Sequence, residues 1–229
     1  MNVLIACEES QRVASAFRNR GHNAFSCDIL DCSGGHPEWH IKADIWTLLI
    51  ANIGSNPTTF ITCDSLKHKL NGDWDLIIAH PPCTRLCSSG QRWLYTKNEE
   101  YNAKKREEQK QGIEFFMKFV KYAETHPNTK MAIENPVGIM STLYRKPDQI
   151  YNPYNFTGEN DIKKTCLWLF NGLQPLEHTQ EAPPKGKRFS SVEKSYYNGK
   201  IISFNDPECA RYRSQTPIGV AKAMAEQWG

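Results

Sequence analysis

Asp75-Leu-Ile-Ile-Ala-His-Pro-Pro-Cys83 and Lys130-Met-Ala-Ile-Glu-Asn-Pro136 are the two stretches that decide the fold. Each begins as a short apolar run of the kind that forms a buried strand, over Asp75 to Ala79 and over Lys130 to Ile133. Each then breaks at proline. A rigid Pro-Pro turn presents the Cys83 thiol after the first run, and Glu134 sits at the end of the second. In a parallel α/β sheet the carboxyl ends of the strands share one rim, and ligands bind there. Cys83 and Glu134 are therefore expected to face one pocket.

The chain outside these runs alternates strand and helix signals. Val3 to Ala6 is apolar, and Arg12 to Asn19 carries Val13, Ala16 and Phe17 at helical spacing, closed by Gly21. Ala24 to Cys27 reads as a second strand ending at Asp28, and a weaker third surrounds Ile41 and ends at Asp44. Ile45 to Ile50 looks helical, and Gly54 to Asp73 reads as a polar, irregular excursion. Glu99 to Glu124 is the longest helix signal, with Ile113, Phe116, Phe119, Val120 and Ala123 on one stripe and a charged run read as a solvated face. Cys166 to Phe170 is a further strand. A closing helix starts near Ile218, with Ala221, Met224, Ala225 and Trp228 in register and Pro217 at its first turn. The alternation predicts an α/β fold with a mostly parallel, doubly wound sheet.

Composition adds bounds. The chain has 229 residues, enough for one well-buried domain, with 39% hydrophobic and 23% charged residues, as in ordinary globular proteins. No apolar run approaches the ~20 residues of a membrane span, so no membrane partner is expected. The start, Met1-Asn-Val-Leu-Ile-Ala6, reads as a strand and not as a signal peptide, which predicts a cytoplasmic protein. Eight irregularly spaced cysteines then read as free thiols. A net charge of +3 permits nucleic-acid binding without arguing for it. Cys27, Cys32, His36 and His40 have zinc-like residue types, but their spacing fits no common ligand pattern, and no metal site is expected.

With Pro81-Pro-Cys83, Ser89-Gly90 on the same loop and Glu134-Asn-Pro136 in this order, the chain resembles the DNA cytosine-5 methyltransferases. Within them it is similar to the small phage and prophage members that act in the bacterial cytoplasm. The resemblance covers most of residues 1 to 170 and the closing helix. It implies a Rossmann-like S-adenosylmethionine-dependent methyltransferase fold, methyl transfer to carbon 5 of cytosine, a role in evading host restriction, and DNA, duplex or single-stranded, as partner. The residue types suit that chemistry. A Cys83 thiolate adding at carbon 6 makes carbon 5 enamine-like, and Glu134 hydrogen-bonds or protonates the ring near N3. Cys83 is then expected to have a lowered pKa or to lose its proton during attack. Cys83 as a small buried residue after a turn is the plainer alternative.

For S-adenosylmethionine, the resemblance assigns Ala6, Cys7 and Ser10 to the first motif. Asp28 and Ile29 then fall at the ribose and adenine, Asp44 opposite the adenine amino group, and Pro82 at the shared edge. Either aspartate can instead be a helix cap. Ser89, Gly90, Asn135, Pro136 and Lys164 are the implied substrate contacts, with Lys164 alternatively a solvated lysine.

Two features depart from the family. Glu8 and Ser10 stand where it has glycines, and Lys163-Lys164-Thr165 replaces its Gln-x-Arg-x-Arg motif. The segment 171–216 is also short for a recognition domain, which predicts relaxed sequence specificity. One expected domain thus comprises a core over 1–170, a reduced variable segment over 171–216 and a closing helix over 217–229. Two other readings remain: a methyltransferase for a cytosine nucleotide or single-stranded DNA, and a non-catalytic DNA- or partner-binding protein on a degenerate methyltransferase fold. The oligomeric state is left open.

Overall fold

The structure is a computed structural model that describes residues 1–51, 58–88, 94, 102–159, 161–180, 194–197, 200–203 and 209–229. Its seven-stranded sheet contains β1 (Asn2–Ala6), β2 (Asn23–Asp28), β3 (His40–Lys42), β6 (Leu76–Ala79), β7 (Lys130–Pro136), β8 (Gln149–Tyr151) and β9 (Thr165–Phe170). The strand order is β3-β2-β1-β6-β7-β9-β8. All pairs from β3 to β7 are parallel, and β9 runs antiparallel to both β7 and β8. The chain leaves β1 toward β3 and returns to β6 on β1's other side. The sheet thus has the switch point at which doubly wound α/β proteins bind ligands.

Alternation along each strand divides the core in two. Leu4, Ala6, Phe25, Ile77, Ala79, Met131, Ile133 and Trp168 face α2 (Ile45–Ala51) and α3 (Ala103–Thr125), which contributes Phe116, Phe119 and Val120. Val3, Ile5, Leu76, Ile78, Ala132 and Leu167 face the other way. They meet Val13, Ala14 and Phe17 of α1 (Arg12–Arg18) and Val220, Ala221, Met224 and Trp228 of α6 (Ile218–Trp228). A parallel sheet covered on both faces needs apolar residues at successive positions, which is why these strands read as continuous apolar runs. The first and last helices of the chain pack together here, and Trp228 Nε1 donates to the Gln174 carbonyl at 2.9 Å.

Four details differ from the sequence reading. The excursion over 54–73 contains a hairpin, β4 (Thr58–Ile61) with β5 (Lys67–Leu70), rather than irregular chain alone. Thr58, Phe60 and Leu70 are its buried residues, and Phe60 packs edge-on against Phe25 at 4.8 Å. Strand β8 and the single-turn helix α4 (Met140–Leu143) are too short to show a period. Strand β7 continues through Glu134 to Pro136 instead of ending at Ile133. The variable segment holds a second hairpin, β10 (Lys194–Tyr197) with β11 (Lys200–Ser203), and a helix, α5 (Cys209–Ser214). Among the described residues no helix is long and apolar enough to cross a membrane.

Candidate active site

The Cys83 loop leaves β6 and is fastened to the end of the neighbouring strand. Asn135, 2% exposed, donates its side-chain amide to the Pro81 carbonyl at 2.9 Å. The amides of Leu86 and Cys87 return to the Cys83 carbonyl at 2.9 and 3.0 Å, making a turn with the thiol at its head. The turn then lies along the residues after β7: Ser88 N donates to the Val137 carbonyl at 3.0 Å, and Ile139 N to the Leu86 carbonyl at 2.9 Å. Gly138 permits this approach, since a Cβ there would collide with the Leu86 carbonyl oxygen and lie 2.8 Å from Cys87 Cα. Asn135 thus acts by holding the loop. Pro136 follows it at the strand end, while Ser89 and Gly90 lie outside the described residues.

The register of β6 with β7, Ala79 opposite Ile133, makes His80 and Glu134 neighbours. His80 Nδ1 and Glu134 Oε2 are 2.9 Å apart, with side chains 11% and 17% exposed. Burial is the largest influence on the imidazole and lowers its pKa. The hydrogen bond and charge of Glu134, with the charge of Glu8, outweigh it, so the His80 pKa is raised. The Cys83 thiol is half-buried, and its pKa is raised too, mainly by desolvation and then by Glu134 and Cys87. Lys163 is the charge that lowers it. This corrects the expectation of a lowered Cys83 pKa: a thiol withdrawn from water beside a carboxylate stays protonated at rest. The pKa of Cys7, a second thiol near the rim, is raised further by burial and then by the charges around it, Asp28 and Asp44 among them.

Beside this group, over the switch point, lies a cavity of about 800 Å³. Of the residues assigned to the cofactor, Cys7, Ser10, Asp28 and Pro82 line it, together with His80. Asp28 also makes a local turn, its Oδ1 accepting from Leu30 N at 2.9 Å. Three other assigned positions do not line it. Ala6 is buried in the sheet, and Ile29 is 69% exposed. Asp44 accepts from Trp46 N at 2.7 Å and so caps α2, the alternative the sequence offered, although its charge is still felt at Cys7. The far wall comes from the variable segment: Arg211, Ser214, Gln215 and Thr216. Arg12 fixes that wall by donating to the Thr216 carbonyl at 3.1 Å.

Glu8 does not obstruct the cavity loop; it builds it. The side chain is 5% exposed, and its carboxylate accepts from Val13 N at 2.7 Å and Ala14 N at 3.2 Å. These amides at the start of α1 are the ones an N-cap side chain would serve, and Gln11 at the N-cap does not serve them. Burial raises the Glu8 pKa against the opposing effects of His80 and the two amides. Left-handed backbone falls instead on Cys7 and Gln11, at φ 61° and 57°. Gln11 is held there by its side-chain amide, which accepts from His36 N at 3.0 Å and donates to the His36 carbonyl at 2.7 Å.

The remaining expectations are placed as follows. Lys164 is exposed; its half-buried neighbour Lys163 acts on Cys83 and His80 and donates to the Arg213 carbonyl at 3.1 Å. His40 is buried between Ser26 Oγ (2.8 Å) and the Leu30 carbonyl (2.9 Å), and His36 pairs with Glu38 at 3.0 Å. Among the described residues no three His, Cys, Asp or Glu side chains converge to hold a metal. His80 was given no role from the sequence, and Lys163 entered only as the neighbour of Lys164. The His80 signal was available, since it stands directly before Pro81 at a strand end.

Comparison with known proteins gives no family: no family model and no curated protein matches the chain.

Two outcomes follow from this geometry. Glu8→Ala leaves two helix-start amides without a partner and lowers stability by about 1–2 kcal/mol, measured by urea denaturation. Gly138→Ala forces the Leu86–Cys87 backbone away and exposes the thiol. Iodoacetamide labelling mapped by mass spectrometry should then modify Cys83 severalfold faster than in the wild type.

Proposed function

We propose that this chain is an S-adenosylmethionine-dependent methyltransferase that methylates carbon 5 of cytosine in DNA through a covalent Cys83 adduct. The observation that carries this reading is the convergence of Cys83, Glu134 and Lys163 at adjacent strand ends, beside a cavity at the switch point. On this reading the sheet is the doubly wound methyltransferase sheet.

The cavity suits S-adenosylmethionine. Its volume is within the range of about 300–1,000 Å³ usual for small-ligand sites. Glu9, Asp28 and Asp31 face it with one guanidinium, Arg211, whose Nε is 4.0 Å from Glu9 Oε1. Such an acidic wall favours a ligand with a sulfonium and an ammonium group. Asp28 would take the ribose hydroxyls. The start of α1 is already served by Glu8, so the ligand's carboxylate would be met elsewhere, with Arg211 the nearest cation. When bound, S-adenosylmethionine supplies an electrophilic methyl group.

The chain's own residues do the rest. Cys83 gives its proton to solvent, and the thiolate bonds to carbon 6 while the displaced ring electrons reach N3, which takes a proton from Glu134. Carbon 5 takes the methyl group and loses its proton to solvent. Expulsion of the thiolate and return of the N3 proton to Glu134 restore the ring. Lys163 favours the thiolate and would hold the cytosine O2 or a flanking phosphate, the task first given to Lys164. A cytosine in duplex DNA must leave the stack to reach this rim.

The test is transfer of labelled methyl groups to duplex DNA, single-stranded DNA and dCMP. Transfer to cytosine carbon 5 in DNA is expected, and Cys83→Ser should lower it by about 10⁴-fold or more. Asp28→Ala should weaken cofactor binding about tenfold by calorimetry, a change of ~1.4 kcal/mol. A folded protein that neither binds the cofactor nor methylates any of the three would overturn the proposal.

A further inference from the structure

We propose that His80 is the positioning residue of Glu134 and the store of the proton that Glu134 delivers to the pyrimidine ring. This rests on the methyl-transfer reading above. His80 N donates to the Ala6 carbonyl at 2.9 Å, extending the β1–β6 ladder by one residue and fixing the base of the imidazole. The side chain lies between two strand ends, with Nδ1 on Glu134 Oε2 at 2.9 Å. Its other nitrogen, Nε2, is buried and has no hydrogen-bond partner among the described residues, although the ring lines the cavity. One edge of the ring therefore serves Glu134 while the ring itself adjoins the cofactor cavity.

The charges that face His80 come from three elements. Glu134 approaches from β7, Glu8 from the loop after β1, and Lys163 from the residues before β9. Two carboxyl groups against one ammonium favour the imidazolium, consistent with the raised His80 pKa. The chemistry needs this arrangement. A lone carboxyl group with an ordinary pKa of about 4.3 has lost its proton at neutral pH and has none to give. Paired with an imidazolium, the same carboxylate has a proton one hydrogen bond away.

The proton balance is as follows. The Cys83 thiolate bonds to carbon 6, and the carbon 5–carbon 6 electron pair shifts through the ring to N3. The proton on His80 Nδ1 passes to Glu134 and from Glu134 to N3, leaving a carboxylate and a neutral imidazole. When the thiolate is expelled, the proton returns from N3 through Glu134 to His80. Nothing is oxidised or reduced in these steps.

His80→Asn tests this, because its amide keeps a neutral donor near the Nδ1 position and removes the titration. Wild-type kcat should fall as pH rises through the His80 pKa, which lies above the usual value of about 6.5. His80→Asn should keep KM for DNA and lower kcat about 100-fold at pH 6.5, where the wild-type imidazole holds its proton, with the difference shrinking as pH rises through the His80 pKa. An equal loss at every pH, or a change in KM alone, shows a merely structural role and overturns the proposal. A second readout needs no activity: the ¹⁵N titration of the His80 ring by NMR, in the wild type and in Glu134→Gln. The His80 pKa should drop by about one unit without the carboxylate. A protein that transfers methyl groups but whose His80 titrates identically in both overturns this proposal alone. A protein with coupled titration that methylates no cytosine overturns the function beneath it, and the delivery step with it.

Discussion

Parallel pairing of β6 with β7, in the register that sets Ala79 beside Ile133, is the constraint on which the site depends. It makes His80 and Glu134 lateral neighbours, and it starts the Pro81-Pro82-Cys83 turn directly beside the end of β7. The pairing alone would leave the turn free to swing. Asn135 removes that freedom through the Pro81 carbonyl, and Gly138 lets the returning chain lie flat against the turn. Thiol, carboxylate and imidazole are thus held by main-chain ladders and one buried amide. Sites built on rigid elements hold their geometry more closely than sites built on loops alone.

The cavity is organised by the same economy of buried polar groups. The start of a helix carries unsatisfied amides and a partial positive charge, and in doubly wound folds a ligand's anionic group commonly sits there. Here Glu8 occupies the amides of Val13 and Ala14 from within the chain. With that position filled, the remaining wall is dominated by Glu9, Asp28 and Asp31, and the cavity selects for positive charge. The guanidinium of Arg211 enters from the other end of the chain, where α5 precedes the helix that packs on α1. The segment that length alone marked as a shortened recognition region therefore also walls the cavity.

Much of this was legible in the sequence, for identifiable reasons. Strands buried on both faces announce themselves as apolar runs, so β1, β2, β6, β7 and β9 could be found, and proline marked where β6 breaks. The β4–β5 hairpin was hidden because its strands are four residues long and only two apolar residues, Phe60 and Leu70, turn inward beside the polar Thr58. Cys83 and Glu134 could be paired because parallel strand ends share a rim. The choice between Lys163 and Lys164 could not be made, since which lysine faces the thiol depends on the local path into β9. Asp44 is the reverse case. An acid at a strand end just before a helix looks the same in sequence whether it meets a ligand or caps the helix, and here Trp46 N decides for the cap.

The raised pKa of Cys83 and the His80–Glu134 hydrogen bond are two sides of one electrostatic problem. Burial opposes the thiolate, and the Glu134 charge opposes it further, so in the resting protein the thiol keeps its proton. The imidazole answers the same carboxylate in the opposite sense: the more negative charge Glu134 carries, the more firmly His80 holds a proton. On the proposed methyl-transfer reading, a proton moved onto the carboxyl group would stop Glu134 opposing the thiolate, and Lys163 would remain to favour it. Proton delivery to a pyrimidine ring would then remove one of the charges that hold the thiol in reserve, so that such a site would make its thiolate together with the acid that the attack requires.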